Sequence, residues 1–301
     1  MIDYSALRVL LAVVQSGSFE RAAAIMHVTP SAVSQRIKQL EERIGAALVV
    51  RGTPCMATAK GEQLCRHMEN VGILEHDLFD ELPSLIDDDD IRQRVTVRIA
   101  TNADSLGTWF LEAISEFSKS SSYLLNVSVD DEDYTGDWLQ HGKVIAAVSG
   151  SEKPISGCRR FALGKLRYHA TASPEFIARH FAHGVTRQTL AEAPTLTFNQ
   201  KDRLQSEWVR RTMSADVSLP THWLPSTQSF LDATLMGMAW GMNPVHLVGD
   251  HLSAGRLIEL IPGTSLDIPL YWHINRLAAD RLATLTSRVV DVAKRTLVQT
   301  V

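Results

Sequence analysis

The chain has 301 residues, of which 45% are hydrophobic and 21% charged. This composition is typical of globular domains and excludes a disordered chain or a fibrous repeat. The net charge of −4 argues against a uniformly basic nucleic-acid binder. The charge is uneven, because residues 1–60 carry +3 and the remainder carries −7. Such asymmetry predicts a basic module joined to an acidic one.

The cysteines and the apolar segments indicate the compartment. Cys55, Cys65 and Cys158 form an odd set without CxxC spacing, which favours reduced thiols over a disulfide framework or a zinc site. No uncharged apolar run reaches the ~18 residues of a membrane span. The apolar stretch 9–14 lacks the flanks of a signal peptide. We therefore expect a cytoplasmic protein without membrane contact, metal or cofactor.

Helical spacing of apolar residues predicts two short helices at the start of the chain. The first helix has the apolar positions Leu7, Leu10, Leu11 and Val14. The second has Phe19, Ala22, Ala23 and Met26. Between them, Ser16-Gly17 ends the first helix and Ser18 caps the second.

A third predicted helix begins with the cap Thr29-Pro30 and ends at Gly45. One face is apolar and consists of Val33, Ile37, Leu40 and Ile44. The opposite face carries hydroxyls, an amide and a cation but no carboxylate: Ser31, Ser34, Gln35 and Lys38. Such a face offers short donors and acceptors for base edges and a cation for phosphate. The three helices together predict a helix-turn-helix.

The segment after Gly45 predicts a wing and a long helix. Two short β-runs, 48–50 and 56–58, flank the turn Gly52-Thr53-Pro54, with Arg51 at the tip in reach of a phosphate. The following stripe suits a long helix that packs against a second helix, and therefore a dimer: Leu64, Met68, Val71, Leu74, Leu78 and Leu82. Pro83 ends this helix, and the run Asp87–Asp90 is interpreted as a solvated hinge.

The N-terminal pattern resembles the signature of LysR-type transcriptional regulators. It consists of Phe19, Ala22-Ala23, Val28 to Ser34, Ile37, Leu40-Glu41, Gly45, Leu48, Arg51, Thr58 and Gly61. Further motifs resemble the ArgP/LysG (IciA-like) subgroup: Asn102 to Ser105, Thr108-Trp109, Gly184 to Thr186 and Leu270 to His273. One departure is local. Gln35-Arg36 stands where many members have the reverse order, which leaves open which of the two touches a base.

The resemblance implies a winged helix-turn-helix (1–60), a linker and dimerisation helix with a hinge (61–90) and an effector-binding domain (91–301). That domain is expected to have two periplasmic-binding-protein-like lobes, the first at about 91–163 and 267–301 and the second at about 164–266. Subgroup members are lysine- and arginine-responsive activators of basic amino-acid exporter genes. The implied partners are promoter double-stranded DNA, lysine or arginine, further copies in a homodimer or homotetramer, and RNA polymerase as a candidate.

The predicted DNA-binding residues combine the polar face of the third helix with its cap and the wing. They are Thr29, Ser31, Ser34, Gln35, Arg36, Lys38, Arg51 and Thr58.

From residue 91 onward, short β-runs alternate with helices, which predicts an α/β fold around a mostly parallel sheet. The expected strands are 95–100, 124–130, 144–149, 167–171, 195–198, 222–224 and 268–274. Helices are expected from Ser105, at 138–142 and at 280–298. Three tryptophans are expected in the core: Trp109, Trp240 and Trp272.

In open α/β sheets a ligand lies beyond the carboxyl ends of the strands. The candidate effector-binding residues there are Asn102, Asp104, Ser105, Asp130, Glu132, Ser149, Ser226 and Thr227. The helix starts at Ser105 and Thr227 suit a carboxylate. Asp104 suits an α-ammonium, and Asp130 with Glu132 a distal cation. The alternative, solvated loop acids, stays open at this point.

Motifs for an enzyme are missing from the sequence, which has no GxSxG, P-loop, GxGxxG before a helix, or metal-ligand spacing. We therefore expect a non-enzymatic regulator. The alternatives are a nucleoid-type DNA-binding protein without an effector, a plain solute-binding protein, and a LysR-type regulator with another effector.

Overall fold

The computed structural model describes residues 2–82, 95–129, 138–139 and 143–299. The chain divides into two compact units, Met1–Val97 and Arg98–Val301. The first unit therefore includes the predicted linker helix as well as the predicted DNA-binding domain. The domain and lobe boundaries given above stay predictions.

The first unit begins with helices α1 (Tyr4–Ser16), α2 (Phe19–Ile25) and α3 (Pro30–Ile44). The predicted caps are confirmed, because the Ser18 side chain accepts hydrogen bonds at the start of α2 and that of Thr29 does so at the start of α3. The two helix-ending glycines adopt left-handed conformations, with φ of 67° at Gly17 and 70° at Gly45.

Helix α1 is buried over a wider arc than its sequence pattern predicts. Its buried residues are Ala6, Leu7, Val9, Leu10 and Val13, whereas Leu11 and Val14 are only partly buried. The reason is that α1 contacts α2, α3 and the long helix of the same unit. A helix packed on several sides needs more than one apolar stripe. In α3, by contrast, Val33, Ile37 and Leu40 are buried as predicted, whereas Ile44 is exposed because it lies at the end of the helix.

The wing and the long helix complete the first unit. Strands β1 (Val49–Val50) and β2 (Met56–Ala57) pair antiparallel and confirm the predicted wing. Helix α4 spans Ala59–Glu81. Its predicted stripe divides into two parts. Leu64, Met68 and Val71 pack against the core of the first unit, whereas Leu74, Leu78 and Leu82 are exposed. Only the second part is available to a partner helix. Pro83 and Asp87–Asp90 lie outside the described residues.

The second unit contains strands and helices in mixed order. Its strands are β3 (Thr96–Thr101, beginning in the first unit), β4 (Leu124–Val129), β5 (Ala146–Ser149), β6 (Cys158–Ala172), β7 (Thr195–Thr197), β8 (Thr221–Trp223), β9 (Gly241–Pro244), β10 (Ile258–Glu259) and β11 (Leu266–Asn275). Its helices are α5 (Ala103–Ser105), α6 (Leu111–Ser120), α7 (Pro174–His180), α8 (Arg187–Glu192), α9 (Leu204–Met213), α10 (Thr227–Leu235), α11 (Val245–Ser253), α12 (Arg276–Ala279) and α13 (Ala283–Thr296). A π-helical turn, Leu106–Phe110, connects α5 to α6.

The main sheet has the strand order β10-β6-β11-β5-β3-β4, and β9 also pairs with β6. Strands β3 and β5 are parallel, as are β7 and β8 in a separate small sheet. The long strands β6 and β11 run antiparallel to each other, and β11 is antiparallel to β5. The prediction of a mostly parallel sheet is therefore wrong. It failed because these two long strands lie side by side in opposite directions.

Several predicted bounds also change. The strand expected at 167–171 is the end of β6, which begins at Cys158. The helix expected from Ser105 begins at Ala103, because Asn102 caps it. The last helix begins at Ala283 rather than residue 280. The three tryptophans are buried, which confirms their expected core positions.

Candidate DNA-binding face and effector cavity

Helix α3 presents its polar face to solvent. Ser31, Gln35, Arg36 and Lys38 are exposed and Ser34 is half-buried. Lys38 Nζ lies 3.8 Å from Glu42 Oε1, one helical turn away. Both side chains are exposed, so this ion pair contributes little stability. The predicted base-reading and phosphate-binding groups thus lie together on one accessible surface.

Two of the predicted DNA-binding hydroxyls have partners within the protein. Thr29 Oγ1 accepts a hydrogen bond from the backbone N–H of Ala32 at 3.2 Å. Thr58 Oγ1 donates to the carbonyl of Ala47 at 2.8 Å and accepts from the N–H of Gly61 at 3.2 Å. These bonds hold the first turns of α3 and α4, so the hydroxyls stabilise the helix starts. Their contact with DNA stays a prediction.

Arg51, at the wing, lies against an aromatic ring of α2. Its guanidinium carbon is 5.1 Å from the centroid of the Phe19 ring, within the range of a cation–π interaction. The wing is further held by a hydrogen bond of 2.8 Å from the N–H of Cys55 to the carbonyl of Gly17. In the sequence, Phe19 is an apolar helix residue and a member of the family signature, and no local pattern relates it to Arg51.

The second unit contains a cavity of about 310 Å³ near the carboxyl end of β3. Its lining combines charged, polar and apolar residues: Asn102, Ala103, Asp104, Gly150, Phe198, Lys201, Asp202, Arg203, Leu204, Glu207, Leu266, Ile268 and Pro269. A volume of this size is at the lower end of small-molecule sites. Of the predicted effector-binding residues, Asn102 and Asp104 line this cavity.

Asp104 is held by two hydroxyl donors. Its Oδ2 accepts from Tyr168 and its Oδ1 from Thr227, each at 2.8 Å. Tyr168 belongs to β6 and Thr227 is the first residue of α10, so the carboxylate joins three separate elements. Asp104 and Thr227 also line a second, smaller cavity of about 20 Å³. The structure thus brings together two of the residues predicted for ligand binding.

Other predicted effector residues make local hydrogen bonds. Asn102 Oδ1 accepts from the N–H of Ser105 at 3.0 Å, so this N–H already has a partner in the cap of the helix. Ser149 Oγ accepts from the N–H of Ser151, and Ser226 Oγ accepts from that of Ser229. Neither Ser105, Ser149 nor Ser226 is among the lining residues of these cavities. Asp130 and Glu132 lie outside the described residues.

Two further carboxylates line the large cavity and were missed from the sequence. Asp202 accepts hydrogen bonds from the N–H groups of Phe198 and Leu204, at 2.9 and 3.0 Å. Glu207 accepts from Arg211 and Arg210. The hydrogen bond from Arg211, followed by that from Arg210, lowers the pKa of Glu207. No motif surrounds these residues in the sequence. Asp202 follows the predicted strand 195–198, which is the one signal that could have found it, whereas Glu207 lies within α9 and has no such signal.

The part of the chain that the structure describes contains no group of three or more His, Cys, Asp or Glu placed to hold a metal ion. No helix within the described ranges combines the length and the apolar character that a membrane crossing needs.

A winged helix-turn-helix followed by an α/β unit with a ligand-sized cavity defines a class, that of ligand-responsive DNA-binding regulators. Residues 4–62 match the bacterial regulatory helix-turn-helix protein, lysR family, and residues 92–297 match the LysR substrate binding domain. The chain therefore belongs to the LysR family of transcriptional regulators.

Individual relatives agree with this family. The chain is 39% identical over 298 residues to the HTH-type transcriptional regulator ArgP of Pseudomonas fluorescens, covering 99% of this chain and 98% of the relative. It is similar to the C-terminal domains of a LysR family protein from Agrobacterium tumefaciens, with 63% identity, a TM-score of 0.68, and coverage of 69% of this chain and 100% of that one. Full-length LysG from Corynebacterium glutamicum with bound effector Arg is similar at 32% identity and a TM-score of 0.68. The match covers 99% of this chain and 100% of that one.

Proposed function

We propose that this LysR-type regulator binds promoter DNA through α3 and the wing and responds to lysine or arginine. The single observation that carries the effector assignment is the lining of the 310 Å³ cavity. Three carboxylates, those of Asp104, Asp202 and Glu207, border it together with an apolar wall. A basic amino acid has cationic ends joined by an aliphatic stem, which suits such a lining. The similar LysG structure with bound effector Arg supports the same chemistry.

In this proposal Asp104 binds the α-ammonium and the start of α10, at Ser226-Thr227, binds the α-carboxylate. The Tyr168 and Thr227 hydroxyls that now bond Asp104 carry no charge, so an ammonium would add an ionic attraction to the carboxylate. Asp130 and Glu132 remain the proposed partners of the distal cation.

The regulated gene in this proposal encodes a basic amino-acid exporter. The protein acts without catalysis, as a homodimer or homotetramer in the cytoplasm, where promoter DNA and RNA polymerase are available. The exposed second part of the α4 stripe supports pairing of two chains.

Calorimetry on the full chain tests the effector. Lysine and arginine should bind, whereas norleucine and citrulline, which keep the stem but lack the distal charge, should bind at least tenfold more weakly. Equal binding of the neutral compounds would make the assignment of a basic amino acid wrong. Binding to a promoter fragment should also shift with lysine or arginine.

A second candidate is a regulator of this family with an anionic effector. Lys201 and Arg203 line the same cavity, and cations of this kind bind carboxylate or phosphate groups. A titration with small dicarboxylates under the same conditions distinguishes the two. Tight binding of a dicarboxylate without competition from arginine would favour this second candidate.

The DNA-reading part of the proposal is tested with Gln35→Ala. We expect this variant to lose discrimination between operators, since each base-edge contact contributes about 1–3 kcal/mol. Lys38→Ala should weaken binding to all sequences alike, because a phosphate contact carries no sequence information. A protein that covers DNA without preference for promoters would support the nucleoid-type alternative.

A further inference from the structure

Two buried side-chain amides in the second unit have polar atoms without protein partners. Gln205, in α9, is 3% exposed and Asn243, in β9, is 1% exposed. Within the described residues, Gln205 Nε2 and Asn243 Oδ1 have no hydrogen-bond partner. Buried polar groups are nearly always hydrogen-bonded, because an unpaired one costs free energy. Something other than these residues should therefore satisfy them.

Both amides line the same small cavity. Its volume is about 20 Å³, and Asp104 and Thr227 border it as well. A volume of roughly 10–15 Å³ accommodates one water molecule, provided that two to four polar groups surround it. An entire amino acid is far too large for this space. The cavity therefore selects an occupant the size of one water molecule.

The chemistry of the two atoms identifies the occupant. Asn243 Nδ2 donates to Thr171 Oγ1 at 3.1 Å and to Thr234 Oγ1 at 3.3 Å, which directs Oδ1 elsewhere as an acceptor. Gln205 Nε2 is a donor. An ammonium group has no lone pair for Nε2, and a carboxylate has no proton for Oδ1. Water supplies both.

We propose that one water molecule is permanently bound between Gln205 and Asn243, next to the hydrogen bond between Asp104 and Thr227. It accepts from Gln205 Nε2 and donates to Asn243 Oδ1, and its second proton has the oxygens of Asp104 and Thr227 nearby. This inference goes beyond the proposed function, because the water is bound whether or not an effector is present. The effector does not displace it.

Crystal structures of the full chain grown without effector and with arginine test the inference. We expect density for one water within hydrogen-bond distance of Gln205 Nε2 and Asn243 Oδ1 in both. A dry cavity in either crystal, a protein side chain in that position, or an arginine atom there would overturn the proposal.

A pair of variants gives an independent test in solution. Gln205→Met keeps the size of the side chain but removes its donor. If the donor holds a water, the midpoint of thermal unfolding should fall by roughly 2–4 °C. If the donor is unsatisfied, its removal should leave the midpoint unchanged or raise it, which would contradict the proposal. Gln228→Met is the matched control, because Gln228 is also the second residue of its helix but is exposed. It should leave the midpoint nearly unchanged.

Discussion

Asp104 and Thr227 are joined by a hydrogen bond of 2.8 Å although 123 residues separate them in the sequence. The bond connects α5, which follows β3, with the first turn of α10. The approach is close, since a Cβ placed on Gly107 would lie 3.4 Å from Thr227 Cγ2. A ligand in the adjoining cavity would therefore meet a carboxylate that already links two distant parts of the second unit. Changes at Asp104 should affect ligand binding more than the fold.

Asp104→Asn should weaken binding of arginine by about tenfold or more. The change removes the charge but preserves the size of the side chain, and a hydrogen bond to a charged group contributes about 1.5–3 kcal/mol. A loss of about 1.4 kcal/mol corresponds to a factor of ten in Kd. Calorimetry with arginine measures the effect, and operator binding without ligand should stay within twofold of the wild type.

Thr227→Val is the matched control for that change. It removes the hydroxyl that donates to Asp104 but keeps the backbone N–H at the start of α10. We expect it to retain most of the arginine affinity. If Asp104→Asn binds arginine as the wild type does, or if Thr227→Val loses as much affinity as Asp104→Asn, the charge of Asp104 is not what the ligand recognises.

Phe19→Leu should weaken DNA binding through Arg51. An exposed cation–π interaction contributes about 0.5–1 kcal/mol, so the affinity should fall by roughly two- to fivefold. Arg51→Ala alone should reduce the slope of log K against log salt by ~0.9 if one phosphate contact is lost. In the Arg51→Ala background, Phe19→Leu should have no additional effect.

Phe19→Tyr keeps an aromatic ring at this position and should bind DNA nearly as the wild type does. Gel shifts at several salt concentrations measure the four variants beside the wild type. Equal losses from Phe19→Leu in both backgrounds would show that Phe19 acts through the fold of the first unit and not through Arg51.

The first unit could be predicted largely from local sequence. The caps Ser18 and Thr29 and the glycines that end α1 and α3 act within one helical turn, so their signals lie beside the elements they define. The wing is equally local. The wider buried arc of α1 could not be predicted, because it depends on which helices pack around it.

The cavity was predictable only in part. Asn102 and Asp104 follow β3, and a strand end is a recognisable position for a ligand. Asp202 lies in the loop after β7, so the same rule applies to it, whereas Glu207 lies within α9 and reaches the cavity through the packing of that helix. The antiparallel pairing of β6 with β11 was missed for a similar reason. Tyr168 pairs with Leu266, nearly one hundred residues later, and no local pattern records such a contact.

Leu78→Asp should convert the protein to a monomer with little operator affinity. Leu78 is 44% exposed on α4 and belongs to the part of the stripe that does not pack within its own unit. A partner helix over this residue would bury the new carboxylate without a counter-charge, which is strongly unfavourable. Sedimentation measures the oligomeric state, and gel shifts measure operator binding.

Two other changes on α4 serve as comparisons. Val71→Asp should instead unfold the first unit, since Val71 packs against its core. Asn70→Asp introduces the same charge at an exposed position and should leave the protein dimeric. If the Leu78→Asp variant stays dimeric, the exposed leucines of α4 do not hold the two chains together.

His273 should make the second unit less stable below neutral pH. Its side chain is fully buried in β11, with Nε2 3.3 Å from the carbonyl oxygen of Ser151. Burial lowers the pKa of His273 below its usual value of 6.5, and the positive charge of Arg160 lowers it further. In the unfolded chain the imidazole takes up a proton as the pH falls through about 6.5, whereas in the folded chain it stays neutral. The unfolded state thus binds more protons, and the free energy of unfolding should decrease by up to about 1.4 kcal/mol for each pH unit below 6.5, until the pH reaches the pKa of the folded state.

Urea unfolding at pH 7.5 and 5.5 measures this decrease. His273→Gln should reduce the difference between the two pH values, whereas the same change at the exposed His183 should not. If His273→Gln loses as much unfolding free energy between pH 7.5 and 5.5 as the wild type does, other groups cause the loss of stability at low pH.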